Sequence, residues 1–294
     1  MSAAPSGTGA LGAFSELLAR PDAEIDLARA CLQVAEDAYP GLDIDGYLGE
    51  IERFAARLRA RLGPDATPED RVLALNEFLF AELGFQGNAK RYYDPRNSYL
   101  NEVIDRRRGI PITLAVLYAE VGRRIELPLE GVSFPGHFLV RLPLRGGMLV
   151  LDPFSGGAPL DEDALRARLK RVIPPEALAT PAGKLPLSDL PLEQFLAPAT
   201  KRQVLARLLR NLKAIYRETN RPAELLAVLN RMLVVTPDAA LEWRDRGIAF
   251  EHLECWRAAL QDFAEYLRRE PDAPDMPEIR ARMTELSQRS ARLN

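Results

Sequence analysis

At an offset of 34 residues, Leu209–Pro237 reads onto Trp243–Pro271: Leu209 falls on Trp243, Tyr216 on Phe250, Leu226 on Leu260, Leu229 on Phe263, Leu233 on Leu267 and Pro237 on Pro271. A period of this length, with apolar residues at helical spacing, restricts the last third of the chain to stacked helix–turn–helix units, since one such unit cannot bury its apolar stripe alone. Two copies fall short of the roughly three that stand by themselves. They are therefore expected to stack on the N-terminal domain and on a last helix near "PEIRARMTELSQRSARL". A coiled coil fails on the period, leaving a plain helical bundle as the alternative. The first copy carries Lys213 where the second has Gly247, which predicts looser packing there.

Upstream, "AEIDLARACLQVAEDAYP", "LDIDGYLGEIERFAARLRARLG" and "TPEDRVLALNEFLFAELGF" carry apolar stripes of helical period, the third opened by Thr67 with Glu69 and Asp70 in its first turn. "GNAKRYYDPRNSYLNEVIDRRRGIPI" reads as a tightly specified loop region around a short helix from about Ser98 to Arg107. "GIPITLAVLYAEVGRRIEL" is apolar nearly all round, with Pro111 suited to the first turn of a helix, and is expected to be the buried spine of the domain. Three β-like runs follow, "EGVSF", "HFLVRL" and "MLVLDPF", the last two joined through "PLRGG". If that hairpin is symmetric about Leu144 and Arg145, His137 opposes Asp152, with Leu139, Arg141, Met148 and Val150 on their face and Phe138, Val140, Leu149 and Leu151 on the other.

With 294 residues and 47% of them apolar, the chain can bury one large core or two modest ones. Residues 1–8 are small and polar and are expected to be disordered; 9–173 form the α+β domain, 174–199 a Pro-rich linker or wrapping segment, and 200–294 the helical repeats. No apolar run is long enough to span a bilayer and no secretory signal pattern opens the chain, so a cytoplasmic protein without a membrane partner is expected. Cys31 and Cys255 lie far apart in helix-like contexts and suggest neither a disulfide nor a zinc site.

Several stretches resemble a known family. The period, the run of Trp243, Gly247 and Phe250, and the terminal prolines resemble tetratricopeptide repeats. "NSYLNEVIDRRRGIPITLAVLYAEVGRRIELPLEGVSFPGHFLVRL", then "LVLDPFSGG", ahead of such repeats resembles the bacterial SirB-type proteins, which join a transglutaminase-like domain to tetratricopeptide helices; the resemblance covers about residues 20 to 270. It implies an α+β fold: a helical N-terminal subdomain with a small antiparallel sheet of papain-related type, followed by all-α repeats. In the wider superfamily a Cys opens the buried helix, a His begins the next strand and an Asp stands at "D-P", an order in which the helix N-terminus and imidazolium lower the thiol pKa and the carboxylate orients the imidazole. Carried across, the His position matches His137 and the Asp position Asp152. The Cys position falls at Pro111 or within a residue or two, and no cysteine lies between Cys31 and Cys255.

The absent thiol leaves two readings of the His137–Asp152 pair. One is a retained hydrogen-bonded pair holding strand ends; the other is a catalytic pair served by a hydroxyl, Thr113 first and Ser133 second. One His with one carboxylate is not a metal ligand set, and no cofactor is expected. Asn97 and Ser98 read as N-capping groups, or with Arg107 and Gly136 as lining of a groove above His137. Arg106, Arg107 and Arg108 read as a solvated turn or as a mouth for an acidic peptide. "KRQVLARLLRNLKAIYR" presents Arg207, Arg210, Lys213 and Arg217 near one face, but without aromatic interleaving, and with a net charge of -3 overall, nucleic acid is not the expected partner. His252 reads as a surface residue. The function expected is binding of a protein or peptide partner in a regulatory or assembly role, without catalysis; the alternative is a hydrolase or acyltransferase with a hydroxyl nucleophile.

Overall fold

The computed structural model describes residues 8–173, 179–180, 183–184 and 191–291. The described residues fall into two compact units, one within Met1–Ile25, Glu36–Gly41 and Leu205–Asn294, the other within Asp26–Ala35 and Leu42–Val204.

The second unit opens with α2 (Leu27–Ala35), α3 (Ile44–Arg59) and α4 (Pro68–Asn76). Asp43 caps α3 by accepting from the Gly46 N–H at 2.9 Å, and Thr67 and Asp70 close a reciprocal capping box on α4, as their spacing predicts. Past Asn76 the helix widens into a π turn over Glu77–Glu82. The loop region holds one feature its Gly and Pro punctuation hid: β1 (Gln86–Gly87) pairs in parallel with β2 (Arg108–Gly109), bracketing α5 (Leu100–Arg106). The buried spine is α6 (Pro111–Arg124), packed against α2, α3, α4 and α5 and against the sheet.

That sheet is an antiparallel meander of β3 (Glu130–Val132), β4 (Leu139–Leu144), β5 (Gly147–Asp152) and β6 (Ala158–Pro159). The hairpin register differs from expectation. Val140 faces Leu151 and Leu144 faces Gly147, which makes Arg145 and Gly146 the turn, with Gly146 at φ +91°. The shift is two residues, so the register sets Leu139 and not His137 opposite Asp152, and His137 falls outside β4; because strand side chains alternate with period two, the strand residues keep their predicted faces. One face, Val132, Leu139 and Val150, packs beneath α7 (Glu162–Val172), joined by Leu165, Leu169, Leu192 and Leu196. In the 174–199 stretch the expectation of a linker falls partly outside the described residues; within them are the short pair β7 (Ala179–Thr180) and β8 (Gly183–Lys184), a 3-10 turn over Leu192–Phe195, and an Ala199 N–H bonded to the Gly131 carbonyl at 2.8 Å. Residues 1–7, expected to be disordered, also lie outside the described residues, and Thr8 opens a helix.

In the other unit, α8 (Lys201–Glu218) and α10 (Ala240–His252) end 34 residues apart, and α9 (Pro222–Val235) and α11 (Trp256–Arg269) both begin and end 34 apart. The sequence period is thus the structural period. The array gains helices at its ends: α12 (Met276–Ala291) packs on α11, and α1 (Thr8–Leu18) packs on α9. Gly247 lets α10 approach α11 so closely that a Cβ there would meet the Phe263 ring at 2.7 Å. In the first copy Lys213 instead sends its ammonium to Glu242 and Asp245 of α10, both at 2.6 Å, and so belongs to an ion cluster. Gly247→Ala is expected to lower unfolding free energy by about 1–2 kcal/mol in urea denaturation: overpacking against a fully buried ring outweighs the roughly 1 kcal/mol gained in helix propensity.

Candidate functional site

His137 stands just before β4, in a turn where its N–H donates to the Phe134 carbonyl at 3.1 Å. Gly136 allows that turn, with φ +68° and Val172 so near that a Cβ would meet it at 2.6 Å. Asp152 ends β5 and caps the 3-10 turn Pro153–Ser155. The imidazole Nε2 and Asp152 Oδ1 are 2.9 Å apart.

The carboxylate is shared. Oδ1 also accepts from the Phe154 N–H at 3.1 Å, while Oδ2 accepts from the Ser155 hydroxyl at 2.8 Å and from Arg168 Nη2 at 2.6 Å. Burial alone would raise the Asp152 pKa; the hydrogen bond and charge of His137, the Ser155 hydroxyl and the Arg168 charge outweigh it and hold the group at about 2. Arg168 lies on α7, over the same sheet face as Asp152, and neither it nor Ser155 was singled out in the sequence, where an Arg in an amphipathic helix carries no mark of its partner. Four donors on a fully buried carboxylate make a clasp that ties the turn before β4, the end of β5 and α7 together.

No cysteine stands at the first turn of α6. Pro111 is buried at the first turn of α6. Thr113, one per cent exposed, accepts from the Ile110 N–H at 3.1 Å and donates its proton to the Asn97 carbonyl at 2.7 Å, which binds α6 to the loop before α5. Ser133 is exposed. Cys31 is fully buried and its thiol is pushed up by burial, with the charges of Glu120 and Asp26 adding to the effect. Phe154 stacks edge-on to His137 with ring centroids 5.8 Å apart and covers Gly87, where a Cβ would meet it at 2.6 Å. An aromatic ring thus fills the space beside Gly87, whose parallel strand partner Gly109 lies two residues before α6.

Asn97 and Ser98 are not N-caps: Tyr99 takes that place for α5, without a side-chain bond. The reason is that the chain turns first through a 3-10 segment, Pro95–Asn97, capped by Asp94. Asn97 is fully buried, donates to the Arg91 carbonyl at 2.6 Å and accepts from Asn88 at 3.1 Å. Ser98 is also buried. Arg106 reaches Glu102 and Asp94 as loose ion pairs, and Arg107 lies instead over Phe54 and Phe85, with centroid distances of 5.1 and 4.6 Å. Among the described residues no group of three His, Cys, Asp or Glu side chains stands ready to hold a metal ion, and no helix is long and apolar enough to cross a membrane.

Comparison with known proteins gives the family. The transglutaminase-like superfamily profile matches residues 45–210. The chain belongs to the transglutaminase-like superfamily. A tetratricopeptide repeat profile matches residues 212–284. A UPF0162 protein of Xylella fastidiosa is 40% identical over 274 residues, covering 93% of this chain and 94% of that protein. Protein SirB1 of Salmonella typhimurium is 27% identical over 81% of this chain and 84% of its own length. UPF0162 protein YchA of Escherichia coli is 26% identical over 88% and 90%. A crystal structure of menin aligns with a TM-score of 0.40 and 12% identity over 88% of this chain and 69% of that one. The SirB-type resemblance and the α+β assignment with repeats behind it are thereby established, and the transglutaminase-like part carries the His137–Asp152 contact without a cysteine in its first helical turn.

Removing the Thr113 hydroxyl gives a local test. Thr113→Val is expected to lower unfolding free energy by about 1–3 kcal/mol, because the Ile110 N–H and the Asn97 carbonyl lose a buried partner. Thermal and urea denaturation would read this; unchanged stability would free the hydroxyl for another role.

Proposed function

We propose that this chain is a non-catalytic transglutaminase-like protein that binds a protein or peptide partner through its repeat array, in a regulatory or assembly role. The observation that carries the reading is a cavity of about 210 Å3 in the array, walled by Tyr216, Leu225, Ile248 and Ala249 and lined also by Arg217 and His252. The side chains of Arg217 and His252 make no hydrogen bond or ion pair among the described residues. An apolar side chain fills such a cavity while a neighbouring carboxylate meets Arg217. The array is where repeat proteins present extended surfaces to helices and peptides.

The second reading, a hydrolase or acyltransferase with a hydroxyl nucleophile, draws on the 2.9 Å contact between His137 and Asp152. Against it stand the commitment of the Thr113 proton to a backbone carbonyl and the sharing of Asp152 with Arg168. Peptides selected by display on the full chain test the first reading. Arg217→Glu is expected to weaken a selected peptide at least tenfold in fluorescence anisotropy, and His137→Ala to leave it unchanged. Binding insensitive to Arg217→Glu and lost with His137→Ala would move the site away from the array.

A further inference from the structure

A second cavity lies in the transglutaminase-like unit, between the start of α3 and the end of α5. Its volume is about 550 Å3, within the range of small-molecule sites, and Asp43, Tyr47, Glu50, Arg53, Asp105 and Arg107 line it. Arg107 is the unusual member. It ends α5 in the left-handed region, φ +59°, a conformation that costs a non-glycine residue on the order of 1 kcal/mol or more and gathers at functional positions. Its guanidinium is held over the rings of Phe54 and Phe85. That guanidinium forms no hydrogen bond and no ion pair with any described residue, and its Nη1 is buried without a partner. A half-buried guanidinium braced by aromatic rings, near the charges of Glu50 and Asp105 but hydrogen-bonded to neither, is a preorganised receptor for a carboxylate, since the planar fork matches one bidentately.

The other charges say what that carboxylate is attached to. Arg53 and Glu50 cancel each other as an ion pair at 2.6 Å. Among the described residues, the Asp105 carboxylate accepts only from the Tyr47 hydroxyl, at 2.6 Å, and the Asp43 carboxylate only from the Gly46 N–H. The Tyr47 phenol is pushed up to about 12 by burial and by the Asp105 bond and charge, so it stays a donor and leaves the Asp105 charge in place. Among the described residues lining the cavity, Arg107 has no hydrogen-bonded anion, and Asp105 and Asp43 have no salt-bridged cation. The complement is a ligand with one carboxylate and two positive groups, and a polyanion such as phosphate is repelled by the acidic wall.

We propose that this cavity binds a free basic α-amino acid, with its carboxylate on Arg107 and its cationic groups toward Asp105 and Asp43. The site is independent of the partner-binding reading, which concerns the repeat array. Isothermal titration calorimetry on the full chain tests it, with L-lysine as probe and L-lysinamide, Nα-acetyl-L-lysine, acetate and inorganic phosphate as comparators. L-lysine is expected to bind, with the amide and the acetylated form each at least tenfold weaker, since each removes one matched charge. Arg107→Lys and Asp105→Asn are each expected to weaken L-lysine at least tenfold; Asp105 is exposed, so its variant keeps the test valid should Arg107→Lys fail to fold. Acetate binding as tightly as L-lysine would mean an adventitious ion only and overturn the proposal. Phosphate binding more tightly than L-lysine would overturn it, as would no heat from any probe.

Discussion

Asp152→Ala is expected to lower unfolding free energy by about 3–5 kcal/mol, measured by urea denaturation at neutral pH. The substitution strips one acceptor group from four donors at once: the His137 ring, the Phe154 N–H, the Ser155 hydroxyl and the Arg168 guanidinium. Arg168 is left without its carboxylate beneath α7, and the three segments lose their common tie. The same group sets an acid limit. Its folded-state pKa, about 2, lies below the unfolded value near 3.9, so the stability it contributes is fully present above about pH 4 and is lost as pH falls toward 2. That contribution is about 2 kcal/mol. Acid denaturation of the wild type should therefore show a component between about pH 4 and pH 2 that is missing from the Asp152→Ala curve. Equal pH dependence in both would remove Asp152 as the group responsible.

Asp37→Asn carries the second large effect. Arg231, on α9, is one per cent exposed, with its guanidinium over the Phe14 ring at 4.8 Å and bonded through both Nε and Nη2 to Asp37. Its Nη1 is already buried without a partner. Removing the Asp37 charge leaves a buried guanidinium with no counter-charge, which costs about 3–5 kcal/mol, whereas replacing both members by apolar residues is far milder. Asp37→Asn is thus expected to be more destabilising than the double variant Asp37→Leu, Arg231→Met under the same denaturation conditions. A double variant as unstable as the single one would mean that the pair contributes net stability.

The parts legible in the sequence are those written in local period. The repeat was readable because helix ends 34 residues apart leave matching residues at every contact, from Leu209 and Trp243 to Pro237 and Pro271. The buried helix α6 and the hairpin that follows were readable because apolar residues recur at the spacing of one element. His137 and Asp152 came into view through the resemblance, and the hairpin parity agrees with the face they share. What escaped was long-range or side-chain specific. Asp37 and Arg231 are 194 residues apart, and nothing in either segment marks the other. Arg168 looks like any exposed arginine of an amphipathic helix until α7 is laid over β5. The Asn97 side chain reads as a cap or as groove lining because the sequence does not reveal that a 3-10 turn intervenes and draws it inward to Arg91. The β1–β2 pair was invisible because two-residue strands rich in glycine have no period to read.

We propose that His137 and Asp152 hold structure and do not turn over substrate. The most direct measurement is the release of nitrophenol from a p-nitrophenyl ester and of amine from a peptide amide, followed in parallel for the wild type, His137→Ala and Thr113→Val. The expected result is no release above background in any of them and no acyl-protein adduct by mass spectrometry. Turnover by the wild type that disappears in His137→Ala or Thr113→Val would contradict it and restore the hydroxyl-nucleophile reading.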